Sequence, residues 1–341
     1  MSLRNKLLPA AMMAASVAYA AAPIDARYAT DAYPGFDREE DIIEGEMKEP
    51  GFFSWWSGPK MDTPEKQLAY AKQCEAEEDY GDARDAYDAL VAEWPSSEEA
   101  PKAQEALADL LFVKEMDYID AFKEYKYLVD FYPSRCNYDA VVKRMYDTAK
   151  LMRRDGKKIA FFRFSNTTDV RRAFESVVLR APGADFAPAA MLEVAELREE
   201  EGLPENAIRI YETIRNIHAG TVEAKTALQR EADVRMKVLR DHGYNRSRCI
   251  DTIGFLKMAL QSNPDPAFRS DLERYLNESV ALVEDEAFAA AKFYDSRTRT
   301  KRSAISAYER FLSEYPASVH ADEARARLVE LKSETASEED K

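Results

Sequence analysis

The sequence is poor in the residues from which most enzyme centres are built. It holds three histidines, His218, His242 and His320, whose spacing could not close on one metal ion. Its three cysteines, Cys74, Cys136 and Cys249, are as widely separated and suggest no metal cluster. Eleven glycines in 341 residues form no run that could cradle a phosphate, and no nucleophile stands beside a credible base. The chain is therefore expected to be no enzyme, with no catalytic, cofactor-binding or metal-binding residues. Basic charge is scarce too. Lysine and arginine number 48 against 63 acidic residues, a formal charge of −15, which excludes broad nucleic-acid binding because that draws on basic surface. Strand-like alternation is rare, and past residue 22 no apolar run is long enough to span a bilayer.

What is present is core-forming material, 46% hydrophobic with 33% charged, ample for a folded body. Residues 1–22, MSLRNKLLPAAMMAASVAYAAA, put Arg4 and Lys6 ahead of an apolar stretch with small residues at Ala18 and Ala20. That pattern predicts a secretory signal over 1–20, cleaved after Ala20, and so an exported chain. In an oxidising compartment the cysteines allow one disulfide with a thiol left over, or three buried thiols. From 21 to 64 runs a flexible leader without helical or strand period, a tether or an arm packed on the main body, acidic in DREEDIIEGEMKEP and aromatic in GFFSWWSGPK. Phe52, Phe53, Trp55 and Trp56 are candidates for partner or lipid contact, or for docking on the first helices of the body.

From about residue 65 to 333 one register recurs. It reads AxxxYxxLxxxWP from Ala83 to Pro95, AxxxYxxLxxxYP from Ala121 to Pro133 and VxxxFxxVxxxAP from Val170 to Pro182. It returns as AxxxYxxIxxxHAG from Ala207 to Gly220 and AxxxYxxFxxxYP from Ala304 to Pro316, with a degraded copy from Thr252 to Pro264. A small residue lets helices approach, an aromatic four positions on lies on the same face, and proline stops the helix. Each such helix follows another helical segment, and such pairs bury their seams only by stacking. Copies one and two are 38 residues apart and Val170 and Ala207 37 apart, close to the tetratricopeptide period of about 34. Longer intervals before Val170, Thr252 and Ala304 imply extended helices or inserts. The expected fold is all-α, a tetratricopeptide-like helical-hairpin superhelix with divergent central repeats, capped by a helix after Ser318 and ending in a disordered acidic tail over 334–341.

The segment AFAAAKFYDSRTRTKRSAISAYERFLSEYPASVHADEARARL resembles the BamD family of outer-membrane protein assembly factors. The likeness is carried by Ala291, Phe293, Tyr294 and Arg297, by Ser303, Ala304, Ile305, Tyr308, Phe311, Leu312, Tyr315 and Pro316, and by Glu323, Ala324 and Leu328. A weaker echo runs from about Thr63 to Pro133. The resemblance implies a periplasmic, non-enzymatic scaffold that receives unfolded β-barrel precursors and cooperates with a membrane-embedded β-barrel insertase. Members of that family usually carry a lipid on a processed cysteine. The VAYAAAP junction here has none, so the implied association with the outer membrane is peripheral and without a lipid anchor.

Two surface segments are candidate partner contacts. MRRDGKKIAFFRFSNTTDVRR interrupts the register with clustered cations and with Phe161, Phe162, Arg163 and Phe164, a local reversal of sign suited to an acidic partner. TRTKR concentrates Arg299, Lys301 and Arg302 between two helices. The register aromatics Tyr87, Tyr125, Phe174, Tyr211 and Tyr308 are expected to pack the seam rather than bind. A second functional expectation, a periplasmic interaction scaffold coordinating cell-wall synthesis or export, fits the same array.

Overall fold

Helix starts are set by short polar side chains and proline. Thr63 accepts from the Lys66 amide ahead of Pro64, Asp79 from Asp82, Asp117 from Asp120 and Asn245 from Arg248, each supplying an acceptor to a first-turn amide. The computed structural model describes residues 33–36, 58–158, 167–241, 245–262, 265–297 and 301–339. Among them every regular element is helical. Six hairpins follow in order: α1 Pro64–Ala76 with α2 Tyr80–Glu93, α3 Ala100–Leu110 with α4 Tyr118–Phe131, and α5 Tyr138–Lys158 with α6 Thr167–Arg180. Then come α7 Ala187–Glu200 with α8 Pro204–Ile217, α9 Val222–Asp241 with α10 Arg246–Gln261, and α11 Pro266–Arg297 with α12 Lys301–Glu314. A last helix, α13 Ala321–Glu339, packs on α12. The chain is a tetratricopeptide-like helical-repeat protein.

The long intervals in the register are occupied in part by long first helices: α5 has 21 residues, α9 has 20 and α11 has 32. The chain divides into two compact units, one of Met1–Tyr33 with Asp37–Ala190 and one of Pro34–Phe36 with Met191–Lys341. In the first, each helix from α1 to α6 packs on the next. In the second, α8 packs on α9, α9 on both α10 and α11, and α11 on α12.

The seam aromatics sit where the register puts them. Tyr87, Tyr125, Phe174 and Tyr211 are fully buried and Tyr308 is 2% exposed, each beside the small residue four positions earlier. A buried phenol needs a partner. Tyr87 donates to Glu75, Tyr125 to Asp109, Tyr211 to Glu199 and Tyr308 to Asp295, in every case an acid on the first helix of the same hairpin. In three of the four an arginine from the next hairpin's first helix, or from the terminal helix, closes on the same acid: Arg144 on Asp109, Arg230 on Glu199 and Arg327 on Asp295. Each of these acid–tyrosine–arginine latches ties three successive helices. Copy one has Ala106 at the arginine position, and copy three has Phe174, which has no hydroxyl to donate. There α6 is held instead by Arg180 Nε on Asp130 of α4 at 3.0 Å and by the Tyr138 hydroxyl on the Arg180 carbonyl at 3.2 Å.

The last latch yields a pH signature. Arg327 grips Asp295 through Nε at 2.7 Å and Nη2 at 3.0 Å, and this holds the Asp295 carboxyl below its ordinary value. A depressed folded-state value means stability fully present above the ordinary 3.8 and lost as pH falls through the folded value. With the pair partly exposed, Asp295→Asn is expected to cost about 1 kcal/mol at pH 7. Denaturant melts should show that difference closing below pH 3.8.

The chain ends make two further contacts. The last helix continues through Glu339, into the segment expected to be a solvent tail. Glu334 there meets Lys301 at 3.2 Å, and the Ser333 and Thr335 hydroxyls bond the Glu330 and Leu331 carbonyls. Near the other end, the turn at Pro34–Phe36 meets α8 through Gly35. Gly35 has φ +102°, and a Cβ there would stand 2.7 Å from the Asn206 carbonyl oxygen and 3.0 Å from Ile210 Cγ1. Gly35→Ala is thus expected to cost about 1–3 kcal/mol through backbone strain and this contact. Amide exchange should quicken in α8 and stay unchanged in α12. Of the leader's aromatic cluster, Phe52, Phe53, Trp55 and Trp56 lie outside the described residues. The three cysteines are free thiols, Cys74 and Cys249 buried and Cys136 half-buried.

Candidate partner-docking groove

The second half of α11 and all of α12 carry small residues on facing sides. On α11, Ala287, Ala290, Ala291 and Tyr294 follow helical spacing along one face. On α12, Ser303, Ser306 and Ala307 form the opposing wall, with Phe311 at the base. Because these side chains are short, the space between the helices is not filled, and a groove of about 530 Å3 remains. Where larger side chains meet on the neighbouring face, α11 and α12 close into a core of Phe288, Ala291, Ala304, Tyr308 and Phe311.

Charge on the groove runs against that of the chain. Arg246 at the start of α10, with Arg302 and Arg310, lines it against one acid, Glu314. Glu314 accepts from Arg310 at 2.8 Å and lies 3.6 Å from Arg246, and the Arg310 hydrogen bond holds its carboxyl below the ordinary value. A smaller pocket of about 250 Å3 between α8, α9 and α10 has Arg209, Arg235 and Arg248 balanced by Glu205, Glu212 and Asp251. Its cations are tied down, Arg248 to Glu205 at 2.9 Å and Arg235 to Glu212 at 2.6 Å. The larger groove alone of the two carries excess positive charge.

Its rim is aromatic. Phe293 is 57% and Tyr294 46% exposed, their rings edge to face, with the Arg297 guanidinium 5.8 Å from the Phe293 ring centre. Seam packing needs neither ring, since Phe288 and Tyr308 already fill the core beside them. Large exposed aromatics beside arginines make up the composition that protein interfaces favour at their energetic centres.

Of the residues singled out from sequence, the structure separates two that are adjacent. Arg302 lines the groove, whereas Lys301, one residue away, points to Glu334 of α13. Arg299, Phe161, Phe162, Arg163, Phe164, Trp55 and Trp56 lie outside the described residues. Arg246, Arg310 and Glu314 were not anticipated. A usable signal existed in RSxxSAxxRF, where small and basic residues share one helical face. Among the described residues no group of side chains could hold a metal ion, and no helix is long and apolar enough to cross a membrane.

No family model and no curated protein matches the chain. Among solved structures, a tetratricopeptide repeat protein from Parabacteroides merdae is similar at 12% identity, covering 79% of this chain and 98% of its own, with TM-score 0.29. The TPR-like repeats of a putative kinesin light chain from Podosopora anserina are similar at 14% identity, covering 65% and 98%, also with TM-score 0.29. The fold of this chain is an all-α array of tetratricopeptide-like helical hairpins.

Proposed function

We propose that the chain is a periplasmic, non-enzymatic scaffold that aids assembly and insertion of outer-membrane β-barrel proteins, docking its partners at the α11–α12 groove. One observation carries the reading. Among the residues on which the resemblance to the BamD family rests, Phe293, Tyr294 and Ser303 are exposed in or beside the groove, while Ala291 and Phe311 reach it from the buried seam. Tyr308 and Ala304, which belong to the general repeat register, are buried in the seam behind it. Phe293 and Tyr294, the part of the likeness that exceeds repeat packing, therefore fall on accessible surface.

In this reading the partners are a β-barrel insertase and unfolded barrel precursors. The work done is binding and alignment. The excess arginine steers an acidic surface to the groove, and the exposed rings contribute contact area once water leaves. Export fits the signal expected over residues 1–20, and association with the outer membrane is through a partner.

The test places a photo-crosslinking residue at Tyr294, at Arg302 and, as a control, at Val329 on α13, 69% exposed. Crosslinked partners are then identified from cells making the full chain. Recovery of an insertase and barrel precursors from positions 294 and 302 but not 329 is expected. Reproducible recovery of wall-synthesis proteins alone contradicts the proposal.

A further inference from the structure

The repeat register lets one copy be read against another. Ala207, Tyr211 and Ile214 of α8 hold the positions that Ala304, Tyr308 and Phe311 hold in α12, so Asn206 and Ile210 correspond to Ser303 and Ala307. In copy four that face is occupied. The chain's own turn at Pro34–Phe36 lies on it, with Gly35 against the Asn206 carbonyl and the Ile210 side chain. Proline followed by a glycine at positive φ is the chemistry of a tight turn, and here it brings backbone to within van der Waals reach of a helix. In copy six the corresponding face is open and forms the α12 wall of the groove.

The differences between the copies indicate what the open site selects. Ala307 in place of Ile210 removes a branched side chain and deepens the site. Arg302 stands where copy four has Glu205, which reverses the charge at that position, and Arg310 stands where copy four has the neutral Thr213. Tyr294 presents a 46% exposed ring at the groove, a surface that favours an incoming aromatic. About 530 Å3 is within the roughly 300–1,000 Å3 of small binding sites and suits a short turn.

We infer that the α11–α12 groove binds a tight Pro–Gly–aromatic turn, flanked by acidic residues and contributed by a partner protein, in the manner that α8 holds the chain's own Pro34–Phe36. The inference rests on the groove being a docking surface and not on which partner brings the turn. The chain's own turn is engaged on copy four, which leaves the copy-six site to another molecule. Charge complementarity selects the acidic flank, since three arginines face a single glutamate.

The probe is a fluorescent peptide of residues 31–42, DAYPGFDREEDI, which has the turn followed by acids. It is titrated into the full chain by anisotropy, with a photoreactive group in place of Phe36 to map its seat. Saturable binding is expected, weakened at least about tenfold by Ala290→Trp and by the surface pair Arg302→Glu with Arg310→Glu. Labelling should fall on α11 and α12, and a scrambled peptide should bind much more weakly. The inference is overturned by absence of saturable binding, by equal binding of the scrambled peptide, or by binding indifferent to both variants. Labelling on α8 also overturns it, because the peptide would then be exchanging with the chain's own turn. Self-association in sedimentation velocity that Ala290→Trp abolishes would make a second copy the occupant and overturn the partner assignment. Failure to recover an insertase in cells bears on the proposed function and leaves this titration untouched.

Discussion

Tyr211→Ala is expected to destabilise the folded chain by roughly 3–5 kcal/mol, the cost of removing a large, fully buried aromatic. The side chain fills the α7–α8 seam and its hydroxyl donates to Glu199, which Arg230 of α9 approaches at 3.4 Å. Burial first, and the hydrogen bond to Glu199 second, push this phenol well above the ordinary tyrosine range, so it remains a neutral donor through physiological pH. Tyr211→Phe keeps the ring and removes only the hydroxyl. It should cost about 1–3 kcal/mol, because Glu199 loses one partner and keeps the arginine. Urea melts followed by circular dichroism separate the two variants. An alanine variant as mild as the phenylalanine one would mean that the ring is not packed as described.

Arg235→Met carries the other large expected effect. Glu231 of α9 is fully buried and accepts from Arg215 Nε and Arg235 Nε, each at 2.8 Å. Both guanidinium groups lie against the Phe255 ring, at 5.3 and 4.8 Å, and Arg235 also reaches Glu212. Burial pushes the Glu231 carboxyl above its ordinary value, and the two arginines oppose that rise. Removing Arg235 leaves a buried carboxylate with one counter-ion, which should cost about 3–5 kcal/mol at neutral pH. The sign of the pH dependence follows. A carboxyl whose folded-state value lies above its unfolded value of 4.5 binds its proton more tightly when folded. The cost is therefore fully present above the folded value and eases as pH falls through it. Two results are expected together: the Arg235→Met deficit narrows on acidification, and adding Glu231→Gln at neutral pH recovers part of it. A deficit independent of pH and of Glu231 would assign the loss to packing on Phe255.

The hairpins were legible because one spacing serves one physical purpose. Ala83 with Tyr87, Ala121 with Tyr125, Ala207 with Tyr211 and Ala304 with Tyr308 all fall on buried faces, and even the degraded stretch from Thr252 marks α10. The latches were half legible. The tyrosine-to-arginine spacing is the same in Tyr125–Arg144, Tyr211–Arg230 and Tyr308–Arg327, but the acid drifts. In copy two it drifts furthest, because a π-helical turn, Leu111–Glu115, extends α3 between Asp109 and Tyr125.

The groove was hidden for a different reason. Alanine and serine on α11 and α12 read equally well as close helix packing, and only the structure shows that no side chain fills the space between them. The TRTKR cluster looked like one charged surface in sequence. Successive residues on a helix point about 100° apart, which sends Lys301 to α13 and Arg302 to the groove. The polar composition of SETASEED suggested a tail, while the ion pair between Lys301 and Glu334 depends on a contact between helices that composition does not reveal.

The most direct measurement compares partner retention and melting temperature of the full chain carrying Ala290→Trp with those of Tyr211→Phe. Ala290 is exposed inside the groove, so a bulky ring there blocks docking without entering the seam, whereas Tyr211→Phe weakens a latch and leaves the groove open. The predicted result is that Ala290→Trp loses the partners crosslinked at Tyr294 and melts as the unaltered chain does, while Tyr211→Phe melts lower and retains them. Retention by Ala290→Trp, with its melting temperature unchanged, would contradict a docking role for the groove.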